Sequence, residues 1–278
     1  MKVGLIGFGR TGREVASVLL NDPSTSLEWV VRQSERHEHQ SVADHIGIET
    51  DDPGTFHAAD SLAAEALLGQ APVDVIIDFS STTGLSYYAT AAARCGVAVV
   101  TAISQYSAAD QNVLTGLAHT CPVLWSPNIT IGINFMLLAA KALQRMDPTA
   151  DIEIIEEHFK SKIGASGTAL RLADGLHVDH ESVHTIRAGG IIGVHEILFG
   201  LPAQTVRLRH ETIAREAFGS GAIFAAHQIL GRSPGMYRME DLLVPFFNER
   251  HVDQPQPEHN RQHRRVASRL RLTARKLT

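Results

Sequence analysis

Residues 1–20, MKVGLIGFGRTGREVASVLL, decide the fold of this chain. The first apolar residues, Val3 to Ile6, are typical of a short buried strand, and apolar residues with helical spacing begin at Val15. A GxGxxG sequence between a strand and a helix indicates a dinucleotide-binding loop, although another α/β protein could also contain a glycine-rich turn. We predict that this loop binds the cofactor through Gly7, Phe8, Gly9, Arg10, Thr11 and Gly12.

The end of the second predicted strand distinguishes the two nicotinamide dinucleotides. An NAD-binding domain usually has an acidic residue there, which binds the ribose 2′-hydroxyl. This chain has Arg32 and Ser34 instead, and a guanidinium and a hydroxyl suit a 2′-phosphate. We therefore predict NADPH. Glu35 keeps NADH open, and a solvated basic loop is the structural alternative.

Alternating strand and helix patterns over residues 1–127 predict a doubly wound parallel sheet of the Rossmann type, to which residues 229–250 return. Residues 128–228 predict a second α+β domain with a mixed, open sheet. Ligands bind at the carboxyl ends of parallel strands. The residues at those ends that we assign to the cofactor are Phe79, Ser80, Thr101, Ala102, Ser126 and Asn128.

Composition restricts the class of protein. The 278 residues are 44% apolar and 20% charged with a net charge of −5, which is ordinary for a globular protein. We expect no signal peptide, no membrane span and no disulfide framework, hence a cytoplasmic protein. Residues 251–278 are basic and resemble either an arm for an acidic partner or an extension without a role. We favour the second reading, predict disorder there, and expect no nucleic-acid partner.

The stretch DIEIIEEHFKSKIGASGTAL, residues 151–170, carries the chemistry. An alternating strand ends at His158, and Lys162 follows in a loop. Ser166, Gly167 and Thr168 then precede a helical pattern, whose first N–H groups could bind an anion. A proton donor beside a carboxylate-binding helix start is a functional arrangement.

Taken together, these motifs resemble the dihydrodipicolinate reductase family over about residues 1–247. The resemblance implies NAD(P)H-dependent reduction of a cyclic conjugated imine dicarboxylate, hydroxytetrahydrodipicolinate, to tetrahydrodipicolinate in lysine and diaminopimelate biosynthesis. It implies that His158 donates the proton, that Lys162 is the active-site lysine, and that Ser166, Gly167 and Thr168 hold a substrate carboxylate. It also implies a homotetramer formed through the open sheet.

The chain departs from the family pattern near the chemistry. Phe159 replaces a second histidine, residues 163–165 shorten the loop before Ser166, and residues 101–104 replace a Gly-Thr-Thr-Gly loop. These changes leave open a paralogous reductase or dehydrogenase acting on another amino acid or cyclic imine. A non-catalytic nucleotide sensor is a further alternative. Three histidines, His177, His180 and His184, have ligand-like spacing but lack cysteines, and we predict no metal.

Overall fold

The computed structural model describes residues 1–247, in which strands and helices alternate along the first half of the chain. The elements of this half are β1 (Lys2–Ile6), α1 (Arg10–Asn21), β2 (Ser26–Arg32), α2 (Val42–Ile46), β3 (Thr55–Ala58), α3 (Ala64–Gln70), β4 (Val75–Asp78), α4 (Gly84–Cys95), β5 (Ala98–Thr101), α5 (Ala108–Leu117) and β6 (Pro122–Trp125). The elements that follow are α6 (Ile131–Met146), β7 (Asp151–His158), α7 (Gly167–Leu176), β8 (Val183–Arg187), β9 (Val194–Leu201), β10 (Gln204–Glu211), α8 (Glu216–Ile229), β11 (Gly235–Tyr237) and α9 (Met239–Leu243). Short 3₁₀ turns occupy His180–Ser182 and Val244–Phe247.

The first sheet has seven parallel strands in the order β11-β6-β5-β4-β1-β2-β3. Every residue of β4 and β5 is buried, because helices cover both faces of the sheet. The strand order reverses between β1 and β4, and this switch point opens a crevice at their carboxyl ends. The predicted doubly wound sheet is confirmed.

The second sheet has four strands in the order β10-β9-β7-β8. Strand β8 runs parallel to β7, while β9 and β10 are antiparallel to their neighbours. Side chains alternate along β7, so that Ile152, Ile154, Glu156 and His158 are buried. The apolar members of this set pack against α6 and α7 in a core of their own. The predicted second sheet of mixed direction is confirmed.

The chain returns to the first sheet after β10. Buried residues of α8 and α9, such as Ala222, Ala226 and Leu242, belong to the core that contains β1 and β4. Strand β11 then pairs with β6 at the sheet edge. The domain limits predicted from sequence stay a prediction, although the packing of α8 favours the first domain for residues 216–229.

Two observations bear on the chain ends and on membranes. In the part of the chain that the structure describes, no helix combines the length and the apolar character needed to cross a bilayer. The predicted basic tail at residues 251–278 lies outside the described residues.

Candidate active site

The glycine loop brings the start of α1 close to the crevice. Gly7 has φ +96°, and a Cβ atom there would lie 2.6 Å from the Ser80 Cα atom. A Cβ on Gly12 would lie 2.3 Å from the Gly7 carbonyl oxygen, so only glycine allows α1 to approach the loop this closely. Gly9 has open space around it. A compact turn that leaves N–H groups open at a helix start is suited to a pyrophosphate.

A cavity of about 370 Å³ lies along the strand ends of this crevice. Among its lining residues are seven that the sequence assigned to the cofactor: Gly7, Phe8, Gly9, Arg32, Ser34, Phe79 and Ser80. The Arg32 guanidinium lies 5.7 Å from the ring centroid of Phe8 and equally far from that of Phe56. Thr11 and Ala102 line an adjoining cavity of about 440 Å³, together with Phe79 and Ser80. Arg10 is exposed at the first residue of α1.

Three further residues assigned to the cofactor have side chains engaged in structural hydrogen bonds. Thr101 is fully buried, and its hydroxyl shares a 2.7 Å hydrogen bond with that of Tyr106. The Ser126 hydroxyl donates to the Asn128 carbonyl oxygen at 2.6 Å. The Asn128 amide nitrogen donates to the Thr168 hydroxyl at 3.1 Å, so this residue links the end of β6 to the start of α7. The hydrogen bonds of these side chains stabilise the strand ends beneath the crevice and connect the first sheet to the start of α7.

The end of β7 carries a buried carboxylate and histidine. Glu156 is fully buried and His158 is 8% exposed, and Nδ1 of His158 contacts a Glu156 carboxylate oxygen. The other Glu156 oxygen accepts from the Arg187 guanidinium and, at 3.3 Å, from the Ser166 N–H. Burial raises the pKa of Glu156, but the hydrogen bonds from Arg187 and His158 outweigh it and hold this pKa below its ordinary value. Glu156 is therefore an anion that orients the ring of His158.

Opposing effects act on the pKa of His158. Burial lowers the pKa of His158, the Glu156 carboxylate raises it, and the charges of Lys162 and Arg187 lower it again, with a net lowering. Lys162 is half-buried in the loop after β7, and its carbonyl oxygen accepts from Arg187 Nε at 3.0 Å. The structure thus brings His158 and Lys162 together on the same end of β7.

The start of α7 lies against this group. Ser166 caps the helix, since its hydroxyl accepts from the Ala169 N–H at 3.1 Å and contacts His195 Nε2 at 3.0 Å. Because the Ser166 N–H is bonded to Glu156, the N–H groups open to an anion are those of Gly167 and Thr168. Burial and the nearby His158 lower the pKa of His195 to about 3, so its ring is neutral.

Sequence reasoning missed three members of this group: Glu156, Arg187 and His195. Glu156 and Glu157 lie on opposite faces of the strand, since Glu157 is half-exposed and pairs with Arg209 at 3.1 Å. The alternation of β7 puts Glu156 on the same face as His158, and that was the available signal. Nothing local marked His195, which lies opposite Glu156 in the pairing of β7 with β9.

The three histidines with ligand-like spacing lie apart. His180 pairs with Asp174 at 2.8 Å, His184 pairs with Glu153 at 2.6 Å, and His177 ends α7 in a left-handed conformation. Within residues 1–247, no three or more metal-ligating side chains gather into a cluster.

A Rossmann-type sheet with its glycine loop, next to a second sheet that carries a histidine and a lysine at one strand end, is typical of a dinucleotide-dependent oxidoreductase. The family models for the N-terminal and C-terminal parts of dihydrodipicolinate reductase match residues 1–129 and 129–243. The chain belongs to the dihydrodipicolinate reductase family.

Similar proteins agree with this assignment. A 4-hydroxy-tetrahydrodipicolinate reductase from Myxococcus xanthus is 31% identical over 260 residues, which cover 84% of this chain and 95% of the relative. A reductase of the same name from Nitratidesulfovibrio vulgaris is 29% identical over 261 residues, covering 84% of this chain and 96% of the relative. The dipicolinate-bound dihydrodipicolinate reductase from a Paenisporosarcina species shares the fold, with a TM-score of 0.73 at 21% identity, over 87% of this chain and 98% of that one.

Proposed function

We propose that this protein reduces 4-hydroxy-tetrahydrodipicolinate to tetrahydrodipicolinate with a nicotinamide cofactor, as the names of its relatives suggest. The observation that carries the proposal is the grouping of His158, Lys162 and the open helix start at Gly167 and Thr168. A ring with two carboxylates and a conjugated imine needs a cation, an anion-binding helix start and a proton donor. This group supplies all three.

The residues of the crevice fit a dinucleotide. The turn at Gly7 and Gly12 has no room for side chains, whereas Gly9 faces open space at the start of α1, where the pyrophosphate would lie. Residues of the adjoining cavity, Thr11, Phe79, Ser80 and Ala102, would flank the nicotinamide end. When bound, the reduced nicotinamide would supply a hydride to the electron-poor ring carbon. The substrate loses its 4-hydroxyl as water, so each turnover takes up one hydride and one proton and releases one water.

The protein residues stabilise charge and transfer the proton. Lys162 and the N–H groups of Gly167 and Thr168 would hold a substrate carboxylate and the negative charge that spreads toward the ring nitrogen. His158, oriented through Nδ1 by Glu156, would deliver the proton from Nε2, directly or through water. A Cβ at position 193 would lie 3.1 Å from Nε2, so Gly193 leaves this side of the ring accessible.

For the cofactor we propose NADPH in preference to NADH. Arg32 and Ser34 line the 370 Å³ cavity at the end of β2, where the adenosine ribose of a dinucleotide lies. The guanidinium and hydroxyl suit a 2′-phosphate, and the cavity has no acidic lining residue among those described.

We also propose a cytoplasmic homotetramer formed through the outer face of the second sheet. Ile186 on β8 is 46% exposed, and Arg209 on β10 pairs with Glu157 on β7 and, at 3.7 Å, with Glu196 on β9. A sheet face with apolar and paired charged side chains suits a symmetric contact. Both cysteines, Cys95 and Cys121, are free thiols, which fits a reducing compartment.

A second candidate function is reduction of a related imine by the same site. Phe159 is 39% exposed and Ile163 is 96% exposed, so the loop before α7 presents apolar side chains. An apolar loop would favour a substrate with fewer polar groups.

The two candidates separate in one assay. NADPH oxidation is followed with enzymatically generated 4-hydroxy-tetrahydrodipicolinate and, in parallel, with a cyclic imine that has a single carboxylate. A higher kcat/KM for the dicarboxylate supports the first proposal. A higher value for the monocarboxylate supports the second, and no oxidation with either contradicts both.

A further inference from the structure

A larger cavity, of about 560 Å³, lies between the part of the molecule built around the first sheet and the part built around the second, which we call the two lobes. One wall comes from α5, the end of β6 and the segment 236–240, and the other from α6 and α7. We call it the interlobe cavity. It shares no lining residue with the two cofactor cavities, and neither His158 nor Lys162 lines it. It is therefore a separate space with no role in the proposed reaction.

Unpaired positive charges in the wall of the interlobe cavity favour binding of a carboxylate. Lys141 and Arg238 line it, and neither forms an ion pair with any of residues 1–247. The third cation, Arg171, is already paired with Glu240 at 2.7 Å. The other acid of the wall, Asp174, pairs with His180. Two cations are thus left to attract an anionic group.

One carboxylate oxygen of Glu240, a residue of the cavity wall, lacks a hydrogen-bond donor. Glu240 Oε1 accepts from Arg171, but Oε2 is buried without a hydrogen-bond partner. A buried carboxylate oxygen left in this way costs free energy until a donor reaches it. Apolar side chains complete the wall, among them Leu114, Trp125 and Leu137. A ligand with a carboxylate, an ammonium group and an aliphatic stem would satisfy all three features.

A chain of hydrogen bonds connects this cavity to the proposed substrate site. Arg171 donates to Glu240 and, at 3.2 Å, to the Asn134 side chain on α6. Asn134 donates at 2.8 Å to the carbonyl oxygen of Asn128, whose amide donates in turn to the Thr168 hydroxyl. Arg171 lies one turn beyond Thr168 on α7, so the helix provides a second connection. A ligand that shifts Arg171 would act on the residue that we assign to the substrate carboxylate.

We propose that the interlobe cavity is an effector site for a free α-amino acid. The carboxylate binds between Lys141 and Arg238. The ammonium group pairs with Glu240, whose Oε2 atom is covered in this structure and turns into the cavity when the ligand displaces Arg171 from Glu240. The side chain packs against the apolar wall. Occupancy repositions Arg171 and, through Asn134 and Asn128, changes the affinity of the substrate site. The binding part stands without the proposed function, whereas the effect on the substrate rests on it.

Calorimetry with each of the twenty protein amino acids, at concentrations up to about 10 mM, tests the binding part. At least one should bind the wild-type protein. Its affinity should fall about ten-fold or more in Lys141→Met and in Arg238→Met, because each variant removes one carboxylate partner. Arg145→Met is the matched control, since Arg145 lies one turn further along α6 and does not line the cavity. None of the three variants should alter basal kcat/KM.

The effect on the substrate is measured separately. The amino acid that binds should change the KM for the imine at least about two-fold in the wild type and leave it unchanged in Lys141→Met. Absence of binding by all twenty amino acids would overturn the effector site, and so would wild-type affinity in both Lys141→Met and Arg238→Met. Binding without any change in KM would overturn the coupling alone. Absence of turnover with intact amino-acid binding would instead count against the proposed function.

Discussion

At the scale of single residues, the proposed role of His158 as proton donor depends on the groups that surround its ring. Glu156 contacts its Nδ1 atom, and Arg187 keeps Glu156 ionised. Since a carboxylate on Nδ1 fixes the tautomer, Nε2 is the nitrogen that would exchange a proton with the substrate in the proposed reaction. His195 stacks edge-to-face at 5.3 Å and, being neutral, adds no charge to the site.

The pH dependence of the reaction tests this role of Glu156. The pKa of His158 lies below its ordinary value of 6.5. As a proton donor, His158 should therefore give a kcat/KM that falls as the pH rises through that lowered pKa. Glu156→Gln removes the group that raises this pKa, so the inflection should move to lower pH. At pH 7, kcat/KM should drop about 10- to 100-fold.

The matched control for this change is Glu157→Gln on the opposite face of β7, paired with Arg209. Its pH profile should coincide with that of the wild type. An unchanged inflection in Glu156→Gln, measured by initial rates across the pH range, would remove Glu156 from the proton transfer.

We propose that the preference for NADPH over NADH depends on Arg32. Replacing it with alanine should weaken NADPH binding about ten-fold or more through the lost contact with the 2′-phosphate, and leave NADH binding nearly unchanged. Arg36→Ala is a suitable control, because Arg36 is exposed in the same loop but does not line the cavity. Fluorescence titration of both cofactors gives the ratio. An equal loss of NADH and NADPH affinity would argue against a 2′-phosphate contact.

At the scale of elements, α8 packs against the first sheet after the chain leaves the second sheet. Gly221 lies in α8, and Ile129 lies in the segment between β6 and α6. A Cβ atom on Gly221 would lie 2.2 Å from the Ile129 carbonyl oxygen. This close approach sets the position of α6, and hence of Asn134 and Asn128, against the first sheet. A glycine is required there by packing and not by backbone conformation.

Substitution at this contact should therefore destabilise the fold. Gly221→Ala should lower the free energy of unfolding by about 1–3 kcal/mol, since backbone atoms must shift. Gly69→Ala in α3 is the control, because its Cβ would meet nothing within 4 Å. It should leave stability unchanged or raise it by up to about 1 kcal/mol. Urea denaturation of both variants measures the difference, and equal stabilities would contradict the packing of α8.

Local patterns predicted many of these elements and missed others for physical reasons. The glycine loop and the alternation of β7 show in a few consecutive residues, and so the parallel sheet and the second sheet were predicted. Strands β3 and β11, at the two edges of the sheet, read TFHA and GMY and lack the apolar run that marks the similarly short β4 and β5. The contact between Ser166 and His195 spans 29 positions and arises only when β9 pairs with β7.

At the scale of the whole molecule, the proposed reaction requires the two lobes to meet. The cavities that we assign to the cofactor lie at the first sheet, whereas His158 ends strand β7 of the second sheet and Lys162 lies in the loop that follows. The hydrogen bond from Asn128 to Thr168 joins the end of β6 to the start of α7. This joint places the helix start that we assign to the substrate next to the strand ends that we assign to the cofactor.

The most direct test of this account compares NADPH oxidation by the wild type, His158→Ala and Lys162→Ala with 4-hydroxy-tetrahydrodipicolinate as substrate. NADPH affinity is measured alongside. We predict turnover by the wild type and a kcat lower by about 100-fold or more in each variant, with nearly unchanged NADPH binding. Turnover by both variants at the wild-type rate would contradict the assignment of His158 and Lys162 to the reaction.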